Sequence, residues 1–261
     1  MSLALIAGRG DLPRAVTLAL DGRAWRAFHL EGAESEISDS TAFRIERLGS
    51  FVAGLAGDGV TEVCFAGAID RPRLDPSAVD AATVPLVPRM LRALQSGDDA
   101  ALRLVLDIFE EAGLAVVAPQ DIAPGLVEVP ETGAPSEQDA ADIDRARAVH
   151  RALSPLDVGQ GCVVAGGQVL AVEAMPGTDW MLESLTAFPE RPAGGVLLKA
   201  SKAGQDRRVD MATIGPGTVG AAAAAGLNGI AVIEGDVLVL DPRAVCARLE
   251  ETGLFLAALP R

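Results

Sequence analysis

The feature that most restricts the fold of this chain is the order in which short apolar runs alternate with amphipathic stretches. Apolar runs at residues 3–7, 24–30, 63–66 and 114–117, with a helix beginning at Pro13, occupy the first half. Parallel strands need crossover connections, so this rhythm predicts a parallel sheet wrapped by helices. A strong amphipathic helix is expected from residue 98 to about 112, because Leu102, Val105, Leu106 and Phe109 share a face while Glu110 and Glu111 point away.

Between residues 119 and 135 the pattern gives way to Pro119, Pro124, Pro130 and Pro135 among glycines and acids, a spacing that leaves no room for a helix. This is the expected linker. It divides an α/β chain into an N-terminal Rossmann-like domain with a parallel sheet, residues 1–130, and a C-terminal mixed α/β domain, residues 131–261. The second domain opens with a polar helix over 136–153 and continues with strands at 162–164 and 169–172 across a Gly166, Gly167 turn. A helix from Thr178, strands at 195–199, 230–233 and 237–240, and a helix over 215–225 follow. Asp241 and Pro242 then suit the free N–H groups at the start of a closing helix.

Composition narrows the partners. There are 22 Lys and Arg against 36 Asp and Glu, a net charge of -14, and only 3% aromatic residues. Such a surface repels polyanions and has little to stack on bases, which argues against nucleic acid. A phosphate-bearing ligand must therefore be held by a local basic cluster. Cys64, Cys162 and Cys246 are far apart, each in an apolar run, and are expected as buried thiols of a cytoplasmic protein. The opening apolar run is too short for a signal peptide and lacks its basic flank. The stretch 219–233 is broken by Gly226, Asn228 and Gly229, and falls short of the roughly 20 apolar residues a bilayer requires.

Candidate chemistry lies at several places. Gly8 and Gly10 follow a strand and precede a helix, where backbone N–H groups can meet a phosphate, although Pro13 occupies the place of the third glycine in a dinucleotide fingerprint. Gly97, Asp98 and Asp99 open a helix; two adjacent carboxylates can ligate a metal, but an N-cap Asp followed by a second acid favoured by the helix dipole is the stronger local explanation of the pair. Thr178 and Asp179 start another helix just after Glu173 ends a strand. The densest segment holds Lys199, Lys202, Arg207 and Arg208, interleaved with Gln205, Asp206, Asp210 and Thr213. Cations to hold charged oxygens and carboxylates to place a metal or a water are what diphosphate cleavage needs. A solvated, salt-bridged loop would have the same composition. His29 and His150 lack metal-ligand spacing and are expected to be structural.

Taken in order, these segments resemble the LpxI family of UDP-2,3-diacylglucosamine pyrophosphohydrolases, along nearly the whole chain. The matching pieces run from Gly8, Gly10 and Pro13 through Gly67 with Arg71 and Pro72, Gly97 to Ala100, and Asp157 with Gly159, Gln160 and Gly161. They continue with Glu173, Gly177, Thr178 and Asp179, then Lys199 and Lys202, Arg208 to Asp210 with Thr213 and Gly215, and Gly253 to Phe255. The resemblance implies two domains with a ligand cleft between them, magnesium (Mg2+) or another divalent cation as cofactor, and cleavage of UDP-2,3-diacylglucosamine to UMP and 2,3-diacylglucosamine 1-phosphate in lipid A biosynthesis. It puts the catalytic aspartate on Asp210, as metal ligand or water-positioning carboxylate, with Asp98 and Asp99 as further metal candidates. Gly8, Gly10, Gln160, Thr178, Asp179, Lys199, Lys202, Gln205, Arg208 and Thr213 become candidate substrate contacts. The family pattern has prolines where Ser201, Ala203 and Ala212 stand here, and Leu for Met211, which predicts a looser loop. An acylated substrate implies transient peripheral contact at the inner membrane; an oligomer is compatible with all of this. The rival expectations are a nucleotide-dependent oxidoreductase, set back by the interrupted glycine pattern, and a non-catalytic binder of nucleotide sugars or lipid phosphates.

Overall fold

The computed structural model describes residues 2–33, 35–70, 72–96 and 98–261, without the side chains of Leu94, Ser96, Asp98 and Asp99. The chain divides into two compact units, Met1–Pro124 and Gly125–Arg261.

The first unit contains, in order, β1 (Ser2–Ala7), α1 (Leu12–Ala19), β2 (Ala24–Leu30), β3 (Thr41–Phe43), α2 (Leu48–Gly57), β4 (Glu62–Ala66), α3 (Val87–Ser96), α4 (Asp98–Glu111), β5 (Ala115–Val116) and α5 (Pro119–Ile122). Its strands lie in the order β3-β2-β1-β4-β5, all parallel. The central strand β1 is buried on both faces, as parallel sheets require. Ala4 and Ile6 pack with Val52 of α2 and Phe109 of α4, whereas Leu3, Leu5 and Ala7 pack with Val16 of α1. The sheet is thus covered on both sides, and the order reverses between β1 and β4. Helix α2 has no periodic signature in the sequence because Gly49, Gly54 and Gly57 interrupt it. Gly49 is required there: a Cβ would stand 2.3 Å from the Ala82 carbonyl oxygen, and its N–H donates to Thr83 Oγ1 at 2.9 Å.

The second unit contains α6 (Glu137–Leu153), β6 (Gly161–Ala165), β7 (Gln168–Val172), α7 (Gly177–Thr186), β8 (Val196–Lys199), β9 (Ala212–Ile214), α8 (Pro216–Ala224), β10 (Gly229–Ile233), β11 (Val237–Val239), α9 (Pro242–Thr252) and β12 (Phe255–Leu259). The main sheet runs β12-β10-β8-β6-β7: the first three are parallel, and β6 is antiparallel to both of its neighbours. Strands β9 and β11 form a separate parallel pair. Side chains alternate across the sheet. Val163, Leu197 and Ile230 face Met181 of α7 and Val219 of α8, and Cys162, Leu198 and Ala231 face Ile143 and Ala146 of α6.

Two expectations need correction. The proline-rich stretch expected to hold no helix contains the single turn α5, where Pro119 takes the first helical position and costs no hydrogen bond, followed by a 3-10 turn at Pro124–Val127. Cys64 and Cys162 are buried, but Cys246, expected to be so, is half-buried on α9. Among the described residues no helix is long and apolar enough to cross a membrane.

Candidate functional site

The turn into β6 is built from residues that tolerate the left-handed region: Asp157 at φ 57 and Gly159 at φ 53. A Cβ on Gly159 would stand 2.0 Å from the Glu173 carbonyl oxygen, and one on Gly161 would stand 2.8 Å from Glu173 Oε2 and 3.0 Å from Lys199 Cδ. Both glycines let the backbone press against a buried polar triad. Lys199 Nζ donates to Glu173 Oε2 and to Thr178 Oγ1, each at 2.7 Å, and the Thr178 hydroxyl donates to the same carboxylate oxygen at 3.0 Å. Lys199 is 2% exposed and Glu173 8%. A buried ammonium is tolerated only when it is paired and hydrogen-bonded, and here the end of β7 supplies the carboxylate and the first turn of α7 the hydroxyl. Glu173 escaped the site set read from the sequence, although its place at a strand end was the available signal.

Gln160 links this triad to Asp210. Its carbonyl accepts from Ala200 N at 2.9 Å, and its Nε2 donates to Asp210 Oδ1 at 3.2 Å. The Asp210 N–H donates to the Asp206 carbonyl at 3.0 Å, and Asp210 Oδ2 has no hydrogen bond among the described residues. The result is a half-buried carboxylate with one oxygen fixed and the other open to a water or a cation.

The four cations of the segment all have carboxylate partners. Besides Lys199, Lys202 Nζ lies 2.5 Å from Asp157 Oδ1, Arg207 reaches Asp236 at 2.7 Å, and Arg208 reaches Asp206 at 2.7 Å. Lys199, expected as a substrate contact, is buried with its ammonium on Glu173 and Thr178. Gln205 accepts from Lys202 N at 2.8 Å, and its own Nε2 is buried without a hydrogen-bond partner among the described residues. The looser loop expected from Ser201 is offset by its hydroxyl, which donates to the Asp236 carbonyl at 2.7 Å and accepts from Ala212 N at 3.2 Å. Thr213 sits on β9 with its hydroxyl on the Met211 carbonyl, and Asp179 is exposed in the first turn of α7, apart from the triad.

In the first unit, Gly8 and Gly67 end β1 and β4, the two strands at the reversal of sheet order, where ligands meet such sheets. The two loops pair with each other. Gly8 N donates to the Ala66 carbonyl at 2.8 Å, and Arg9 and Ala68 exchange backbone hydrogen bonds at 2.9 and 3.0 Å. A Cβ on Gly8 would stand 2.5 Å from the Ala68 carbonyl oxygen. The amides of Gly8 and Arg9 are thus committed to chain carbonyls instead of cradling phosphate. Gly10, at φ 89, has open space around it. Gly97 and Arg71 lie outside the described residues, as do the side chains of Asp98 and Asp99. His29 pairs with Ser40 Oγ at 2.8 Å and His150 Nε2 with the Ala200 carbonyl at 3.1 Å, both structural contacts.

Among the described residues no group of three or more His, Cys, Asp or Glu side chains could hold a metal by itself. Mg2+ needs no such cage, since it is commonly held by one or two carboxylates together with substrate phosphates. Asp210, with its open oxygen, fits that lesser requirement.

The LpxI N-terminal domain matches residues 2–126 and the LpxI C-terminal domain residues 128–257. The sequence is also 38% identical, over 97% of this chain and 96% of the relative, to the UDP-2,3-diacylglucosamine pyrophosphatase LpxI of Caulobacter vibrioides. The chain belongs to the LpxI family. Its two LpxI domains correspond to the parallel-sheet unit and the mixed-sheet unit described above.

Proposed function

We propose that this protein hydrolyses the diphosphate of UDP-2,3-diacylglucosamine, giving UMP and 2,3-diacylglucosamine 1-phosphate in lipid A biosynthesis, with Asp210 as its catalytic carboxylate. The observation that carries the reading is 38% identity, over 97% of the chain, to a UDP-2,3-diacylglucosamine pyrophosphatase; the Gln160–Asp210 contact supplies a suitable group. Water adds its oxygen to one phosphorus and the bond from that phosphorus to the bridging oxygen breaks. Gln160 fixes one Asp210 oxygen, which leaves the other aimed at the attacking water or at the cation. Asp210 would hold Mg2+, and the chemistry that ion would supply is neutralisation of charge on the diphosphate. Lys202 and Arg208 form part-exposed ion pairs, worth little in place, so they can exchange Asp157 and Asp206 for phosphate oxygens at small cost. Lys199 keeps Thr178 and Glu173 in register beneath them. Membrane contact is peripheral and transient, made to collect the acylated substrate.

The test is UMP release from UDP-2,3-diacylglucosamine by the purified protein, with Mg2+ and with EDTA, for the native chain and Asp210→Ala. Release that needs the metal and drops at least about a hundredfold in the variant is expected. Full activity in Asp210→Ala would remove that residue from the mechanism, and absence of release with any divalent metal would overturn the reaction itself.

A further inference from the structure

The main sheet of the second unit separates two polar regions by side-chain parity. Along β8, Lys199 joins the α7 side through Thr178, whereas Leu198 and the following Ala200 face α6. On the α6 side, beyond the C-terminal ends of β8 and β10, lies a cavity of about 360 Å³. Asp210, Gln160 and Thr178 are not in its lining.

The cavity has an apolar floor and a cationic wall. Leu198, Ala200 and Ile233 form the floor. Arg147, His150 and Arg151 line the wall from one stripe of α6, at the spacing that puts helical side chains side by side. Lys202 and Arg261 add charge, and Asp236 is the only acidic side chain in the described lining. In a protein of net charge -14, this local excess of cations is the reverse of the general surface.

Internal carboxylates take up Lys202, on Asp157, and Arg261, on Asp236, but not the two arginines of α6. Asp236 is shared by Arg207 and Arg261, at 2.7 and 2.5 Å. Arg147 gives one nitrogen to the Pro260 carbonyl at 2.9 Å, which is no counter-charge. Arg151 makes no hydrogen bond or ion pair among the described residues. Two guanidinium groups one helical turn apart match the oxygens of a tetrahedral dianion, and the volume is that of a small-ligand pocket.

We propose that this cavity is a phosphomonoester-binding site, with Arg147 and Arg151 holding the phosphate and the apolar floor receiving the body of the ligand. Both products of the proposed hydrolysis carry this group, so under that reading the cavity responds to product; binding itself does not depend on the reading.

His150 provides a reporter, because the chain has only two histidines and His29 lies in the first unit. The full chain is titrated in EDTA with UMP and, separately, with inorganic phosphate, and its two histidine ring signals are followed by NMR, with sodium chloride matching the ionic strength. His29→Gln assigns them. A saturable shift of His150 with both ligands, tighter for UMP, and no shift of His29 are expected. Arg147→Gln with Arg151→Gln should weaken the binding at least about tenfold. Arg151→Glu, at a position with no internal partner, should do the same without disturbing the fold. An unmoved His150 signal, a shift reproduced by chloride, or equal binding by Arg151→Glu would overturn the site. None of these outcomes requires the protein to turn over a diphosphate, so they stand apart from the UMP-release test.

Discussion

The ion pair between Lys199 and Glu173 is the sharpest test of how single residues hold the site. Their side chains are 3% and 11% exposed, and the pair is completed by Thr178. Removing one member strands the other as a buried, uncompensated charge, an effect of about 3–5 kcal/mol, whereas replacing both by apolar groups of similar volume is often close to neutral. Glu173→Ala is therefore expected to lower unfolding stability by that amount, and Lys199→Met with Glu173→Leu to lower it less than Glu173→Ala alone. Urea denaturation measures both. A double variant as unstable as the sum of the singles would show no coupling between the two side chains and would remove the stranded charge as the cause of the loss. The sequence displayed each of these residues but not their pairing. Lys199 ends β8 and Glu173 follows β7, 26 positions apart, and composition cannot tell a cation waiting for phosphate from one that a carboxylate already holds. What the sequence does carry is the requirement for glycine at 159 and 161, and the structural reason is the triad they press against.

Helices with chemical end signals were legible, and those without were not. Helix α6 begins with a capping box: Ser136 Oγ accepts from Asp139 N at 3.2 Å, and Asp139 Oδ2 accepts from Ser136 N at 3.0 Å. Asn228 adds a donor to Asp139 at 2.8 Å, tying the helix start to the turn before β10. Ser136→Ala is expected to cost about 0.5–2 kcal/mol, visible as a lowered Tm. Burial pushes the Asp139 carboxyl up, but hydrogen bonds from the Ser136 hydroxyl, the Asn228 amide and the Ser136 N–H outweigh it and hold the group below its usual range. A depressed carboxylate stabilises the fold above its unfolded value, near about 3.9, and loses that contribution as pH falls through the lower folded value. Stability of the native chain should thus fall below about pH 4 more steeply than that of Asp139→Asn; parallel acid-unfolding curves would remove Asp139 from that account. By contrast, the glycines of α2 erased its period, and the short strands β3, β9 and β12 show no alternation long enough to read, because neighbouring chain rather than local pattern makes them strands.

At the scale of the whole chain there are two units, Met1–Pro124 and Gly125–Arg261, each with apolar clusters on both faces of its own sheet. The cysteines sample that organisation. Cys64 lies on β4 in the core of the first unit, Cys162 on β6 in the core of the second, and Cys246 half-buried on α9. Burial pushes the Cys64 and Cys162 thiols up to about 12, so near neutral pH both lack the thiolate as well as the access that alkylation requires. Native protein treated with iodoacetamide is therefore expected to be modified at Cys246 alone, and all three thiols should react once the chain is unfolded in urea. At intermediate urea, peptide mass spectrometry of the labelled chain resolves Cys64 from Cys162 and so reports each core separately. Two cores that open independently would expose these thiols at different urea concentrations, and a single cooperative transition would expose them together. Rapid labelling of Cys64 or Cys162 without denaturant would contradict the buried positions of β4 and β6, and with them the two-core architecture that carries the candidate site.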